Sequence, residues 1–213
     1  MDYQKVIDVA LSYADRASSV PIVSNMDNFL RVVESRVNRA LLTQKMSSTA
    51  YTLIDTTTKY PNRYTLPDDF LSERSIRITQ KELLTYSSTL SLVNPEQMAN
   101  LRNNNSAYAA YCIISGYIEI WPVPVNTDTS TYILEINYFR SVPALTKSAV
   151  NNWLSNNNPD CYIFGLLTEI NSFAKDGESA ALWDARFKQS LDEITLLNDR
   201  ATWSGNPIYT KVG

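Results

Sequence analysis

Histidine is absent from this chain. That removes the commonest general base, the Ser–His and Cys–His nucleophile systems and most zinc sites. Carboxylate and lysine chemistry stay open, but an enzyme becomes a poor first expectation. Glycine is scarce, with 5 in 213 residues. None opens a phosphate-cradling loop, and no CxxC, HExxH or DxDxDG spacing occurs. The 2 cysteines, Cys112 and Cys161, sit in apolar strand-like and helix-like surroundings. Buried free cysteine behaves as a small hydrophobe, so two reduced thiols are expected, in keeping with intracellular synthesis. No apolar run reaches the length of a membrane span. Asp2, Lys5, Asp8 and Asp15 lie within the first helical stretch and argue against a secretion signal. Charged residues make up only 19%, with a net charge of −3. That argues against gripping nucleic acid through a broad basic face. A mildly acidic lining would instead let DNA slide past.

What the chain has is apolar surface. Hydrophobic residues make up 44% and there are 13 tyrosines. Tyrosine is enriched at protein interfaces, where its ring buries area and its hydroxyl finds a partner. The densest stretch is 159–173. Asn158 is placed to cap a helix there, Pro159 suits its first turn and Asp160 faces the positive end of its dipole. Cys161, Tyr162, Ile163, Phe164, Leu166, Leu167, Ile170 and Phe173 leave little room for a polar face. Such a helix must be buried on most of its circumference, either as a central core helix or under another subunit.

Along the chain, helical spacing predicts a helix over 2–17, a connector over 18–25 and a second helix from Asp27 to about Lys45. In that second helix Phe29, Leu30, Val33, Val37, Ala40 and Leu41 form the apolar stripe. Arg31, Glu34, Arg36 and Arg39 lie off it, as a solvated face or one that meets an acidic neighbour. The middle is rich in β-formers. Strands are expected at 51–58, around Ile76 and Ile78, and at 86–93, 107–114, 117–121 and 132–138. A short helix capped by Asn94 and a two-residue hairpin turn at Ser115-Gly116 interrupt them. These strands predict an antiparallel sheet with one buried face. A break at Asp176-Gly177 precedes a last helix from about Glu178 to Asp199. The order predicts an α+β fold: one domain over 1–200, helical at 1–46 and 146–200, with a β-rich insertion at 47–145. Residues 201–213 form an extended, non-helical tail. Its Trp203, Ile208 and Tyr209 suit a docking role, since a free tail rarely carries large aromatics.

The obvious carboxylate pair, Asp68-Asp69, points to opposite sides in an extended chain and does not converge by itself. Two other classes therefore compete with an assembly protein. A peptide- or glycan-binding module with exposed aromatics would be a stable monomer with a concave aromatic pocket. An enzyme using Asp68, Asp69 or Glu119 would hold a carboxylate of raised pKa in a cleft.

The pieces in this order resemble the head-to-tail adaptor, or connector, proteins of tailed bacteriophages, especially short-tailed ones. The resemblance rests on several stretches: Phe29 to Leu41; Leu66-Pro67-Asp68-Asp69-Phe70-Leu71 with the strand Arg74 to Ile78; and Gly116 to Pro124. Tyr138 with Pro143 and Leu145, Asn152-Trp153-Leu154, Pro159 to Glu169, and Asp176, Glu178 and Trp183 complete it. Cys161 and Asn171-Ser172 depart from the pattern, and the chain beyond Arg200 lies outside it. The resemblance implies a virion structural protein without catalytic residues, cofactor or metal, made in the host cytoplasm and placed at the head–tail junction. It implies a homo-oligomeric ring, a dodecamer, with a helical bundle as ring body and the sheet projecting from it. The partners implied are the portal protein, a tail or nozzle protein, and genomic DNA passing through the lumen without sequence-specific binding; no membrane is involved. Interface residues expected on this reading are Trp203, Ile208 and Tyr209 of the tail and Arg36 and Arg39 of the second helix.

Overall fold

In the computed structural model the described residues are 1–55, 57–81, 87–127 and 131–203, with the side chains of Ser87 and Trp203 left aside. They form six helices and two four-stranded sheets, and the chain divides into two compact units. One unit joins Met1–Met46 to the chain from Val142 onward; the other is Ser47–Ser141.

The helical unit begins with α1, Tyr3–Tyr13, capped by Asp2, whose side chain accepts from the Lys5 amide at 2.8 Å. This helix is shorter than expected because Asp15 adopts a left-handed φ of 52°. The Asp15 amide then bonds Ser12 O and the Arg16 amide bonds Leu11 O, which is a Schellman close. Helix α2 is Val20–Ala40. It starts well before Asp27: Ser19 takes the cap position and Pro21 fits the first turn, so the expected connector is the start of the helix. Helix α4, Trp153–Asn157, opens with a capping box between Asn152 and Ser155. Asn158 was expected to cap the next helix through its side chain; it makes no such bond, and its amide instead closes α4 on Leu154 O at 2.8 Å.

Helix α5, Pro159–Phe173, buries Cys161, Tyr162, Ile163, Leu166, Leu167 and Ile170. It packs against α1, α2, α4 and the last helix of its own chain. Of the two expected alternatives, α5 is therefore a central core helix. Lys175, at φ 61°, ends it in a second Schellman close. Helix α6, Gly177–Trp203, begins with Asp176 accepting from the Ser179 amide at 3.1 Å. It continues through Ala201 to Trp203, three residues into the stretch expected to be an extended tail. Thr202 supports that last turn by donating to Asn198 O at 2.8 Å.

The second unit holds β1 (Ser47–Leu53), β2 (Arg63–Thr65), β3 (Phe70–Gln80), β4 (Ser87–Thr89), β5 (Ser91–Leu92), α3 (Pro95–Asn103), β6 (Ala110–Ile114), β7 (Tyr117–Trp121) and β8 (Tyr132–Arg140). The single antiparallel sheet expected from the sequence is two sheets, ordered β1-β8-β3-β4 and β2-β7-β6-β5. Moreover, β5 and β6 run parallel. That pairing follows from α3, which supplies the crossover a parallel connection needs. Ile76, Ile78, Leu134 and Ile136 from the first sheet and Tyr64, Tyr111, Ile118 and Ile120 from the second share one core. Cys112 and Ala110, on the opposite face of β6, pack with Met98 of α3. The β6–β7 hairpin turns at Ser115 (φ 48°) and Gly116 (φ 81°), the two positive φ values of a type I′ turn.

Candidate functional site

The residues expected at an interface sort into two groups. Arg36 sits on α2 and is only 22% exposed; it pairs with Glu169 of α5 at 3.4 Å and with Asp184 of α6. Its guanidinium lies 4.6 Å from the centre of the Phe187 ring. Lys188 adds a second cation to Asp184 at 2.7 Å, and the bonds from Lys188 and Arg36 hold that carboxyl below its ordinary range. Arg36 is thus engaged by acidic neighbours within its own unit. Arg39, almost one turn further on, is exposed and donates to Ser35 Oγ at 3.2 Å. Trp203 is the last residue of α6. Ile208 and Tyr209 lie outside the described residues.

A cleft of about 360 Å³ flanks the C-terminal half of α6. Ile194, Leu197 and Ala201 form one wall, and Lys45, Trp153 and Asn157 face them. The Lys45 ammonium stands 5.7 Å from the Trp153 ring centre. Gln44 ties the rim together, its amide donating to Asn198 Oδ1 at 2.8 Å and its side chain to Thr202 Oγ1 at 2.9 Å. The cleft therefore lies beside the point where the chain leaves α6. Leu182, Leu196 and Leu197 of α6 are each more than half exposed.

Glu34 was read as lying off the apolar stripe of α2; it is buried, at 9% exposure. Its spacing of four from Leu30 and three from Val37 places it on the inward face. Its Oε1 accepts from the Leu145 amide at 2.6 Å and from the Tyr162 hydroxyl at 3.5 Å. Asn152 in turn donates to that hydroxyl at 2.8 Å and to Pro143 O at 2.7 Å. Burial raises the Glu34 carboxyl above its ordinary value. Asn38 acts likewise, its Oδ1 accepting from the Val142 amide at 2.9 Å. Together Glu34 and Asn38 hold the 142–145 segment along α2. A carboxylate within an apolar stripe was the signal in the sequence that could have found this.

The carboxylates considered for catalysis are placed differently. Glu119 is 1% exposed and lies between Arg63 and Arg102, the latter at 3.3 Å. Asp69 accepts from the Tyr138 hydroxyl at 2.8 Å and, through its backbone, from the Ser141 amide at 2.7 Å. Asp68 is exposed beside it. Among the described residues there is no cluster of three or more potential metal ligands, and no helix is long and apolar enough to cross a membrane.

Compared with known proteins, residues 1–210 match the sequence model of the family described as SU10 adaptor protein. No curated protein matches the chain.

Proposed function

Because this chain belongs to the SU10 adaptor protein family, and so is a phage head-to-tail adaptor, we propose that it forms a homo-oligomeric ring of about twelve copies between the portal and the tail or nozzle of a short-tailed virion. The family match over nearly the whole chain carries this reading. The helices form the ring body, the sheets project from it, and the segment after α6 reaches the portal or a neighbouring subunit. A closed ring needs two different faces of one subunit, and exposed leucines of α6 and the cleft beside Trp153 are candidates for one of them. Genomic DNA passes through the lumen without being read; the net charge of −3 supports weak repulsion over binding. The protein is structural, takes no cofactor and performs no catalysis. It is made in the host cytoplasm and ends in the virion.

Native mass spectrometry of the purified protein, alone and mixed with the portal protein of the same phage, tests this. A ring-sized assembly is expected with portal present. A monomer that never binds portal would overturn the reading and favour a peptide- or glycan-binding module.

A further inference from the structure

The edges of the two sheets differ in how they are protected. Edge strands β2, β4 and β5 have three, three and two residues. Strand β1 is also an edge, pairing among the described residues only with β8, and it runs for seven residues, Ser-Ser-Thr-Ala-Tyr-Thr-Leu. It contains no charge, proline or glycine, and its register with β8 is unbroken from Ser47 to Leu53. Soluble proteins normally blunt such an edge with lysine, proline or a bulge, because its free amides and carbonyls will pair with another chain.

The ladder fixes which groups point away from β8. The Ile54 amide donates to Tyr132 O at 3.0 Å, so the even-numbered residues of β1 turn their backbone toward β8. Across β8, the Lys81 amide donates to Thr131 O at 2.7 Å, which assigns the odd-numbered residues of β8 to β3 and agrees with that phase. Thr49, Tyr51 and Leu53 therefore direct their amides and carbonyls outward, away from the sheet. The same residues carry the exposed side chains, Tyr51 at 65% and Leu53 at 55%. Backbone pairing capacity and apolar surface coincide on one edge.

An extended chain that suits this edge exists in the sequence itself. Beyond α6, Ser204 to Gly213 comprises ten residues, able to span roughly 33 Å when extended. After Gly205-Asn206-Pro207, a turn-forming group, comes Ile208-Tyr209-Thr210-Lys211-Val212. Four of these five are β-branched or aromatic, the composition of a strand. We infer that Ile208–Val212 of one copy adds as a fifth strand to the free edge of β1 in another copy, by β-augmentation. This rests on the reading of the C-terminal segment as an assembly element and names its receptor.

Cysteine cross-linking tests the pairing. The native Cys112 and Cys161 are buried at 1% and 0% exposure and will not compete. Full-length Tyr51→Cys protein is mixed with full-length, tagged Val212→Cys protein and portal, and treated with a short thiol-to-thiol cross-linker. The expected product is a covalent dimer holding one copy of each variant. It should be lost when Thr49→Pro is added to the first chain, since that change removes an outward amide and no ladder bond. It should also be lost with Thr210→Pro in the second chain, a change that cannot affect folding of β1. Absence of the mixed dimer while the two variants still co-assemble would overturn the pairing and leave the tail reading standing. Undiminished assembly after deletion of Ser204–Gly213 would sink both. A third protein carrying both Tyr51→Cys and Val212→Cys serves as control: a cross-link within that single chain, with no mixed dimer from the separate variants, would replace exchange between copies with self-capping and overturn the inference as stated.

Discussion

At the scale of single residues, the scarcity of glycine is handled by other side chains. Helices α1, α3 and α5 each end in a left-handed residue followed by the two Schellman bonds, and those residues are Asp15, Asn105 and Lys175, at φ 52°, 46° and 61°. A left-handed backbone costs a residue with a Cβ about 1–2 kcal/mol, least for Asn and Asp. Lys175 has no such excuse and is exposed. Lys175→Gly is therefore expected to stabilise the protein by about 1 kcal/mol, measured by urea unfolding; no gain would mean the lysine makes a compensating contact. Glu34 is the second case. Burial raises its folded-state pKa above the unfolded value, so the wild type is favoured at low pH and loses stability as pH rises from about 4.5 through the folded pKa. Glu34→Gln keeps an acceptor for the Leu145 amide but cannot ionise. Its melting temperature should equal or exceed that of the wild type at pH 7, and the gap should close on acidification. A gap that widens towards acid would show that the charge itself stabilises the fold.

Among the elements, α5 is the organising one, and Gly165 explains how closely its neighbours approach. A Cβ at this position would lie 2.6 Å from Val33 Cγ1 of α2 and 3.3 Å from Phe187 Cε2 of α6. Valine is stiff at χ1 and cannot swing away. Overpacking costs about 1–3 kcal/mol, against roughly 1 kcal/mol that alanine gains over glycine within a helix. Gly165→Ala should therefore lower stability by up to about 2 kcal/mol and the melting temperature by up to a few degrees; a rise would mean α2 can shift freely. Arg36 fastens the same three helices, through Glu169, Asp184 and Phe187. Arg36→Met leaves two half-buried carboxylates with less compensation, at a cost of about 1–3 kcal/mol. Because exposed pairs are worth little, a loss below about 0.5 kcal/mol would show that solvent already screens this cluster.

For the whole molecule in the proposed assembly, removing Ala201 to Gly213 should weaken attachment to the portal at least tenfold, about 1.4 kcal/mol, read by co-sedimentation with portal-bearing heads. Unchanged attachment would remove the tail from the assembly scheme. That deletion also takes the last turn of α6, so a second deletion beginning at Ser204 separates loss of the segment from fraying of the helix.

Most helices were readable from the chain because their determinants are local. Apolar spacing of three and four, Asp2 and Asn94 as caps, and the Ser115-Gly116 turn act within a few residues of themselves, and the structure keeps them. The order of motifs was equally present in the sequence, which is why the adaptor family could be named from it. What the tertiary structure decided was choice among partners. Alternation marks Leu134, Ile136 and Tyr138 as inward-facing, but an alternating strand pairs equally well with many others, and only packing of the two inner faces settled two sheets in place of one. The same holds for Glu34: its inward position becomes tolerable only because Leu145, 111 residues away, brings an amide to it. Long-range contacts are paid for by loop closure and recovered by burial, and neither quantity can be read from neighbouring residues.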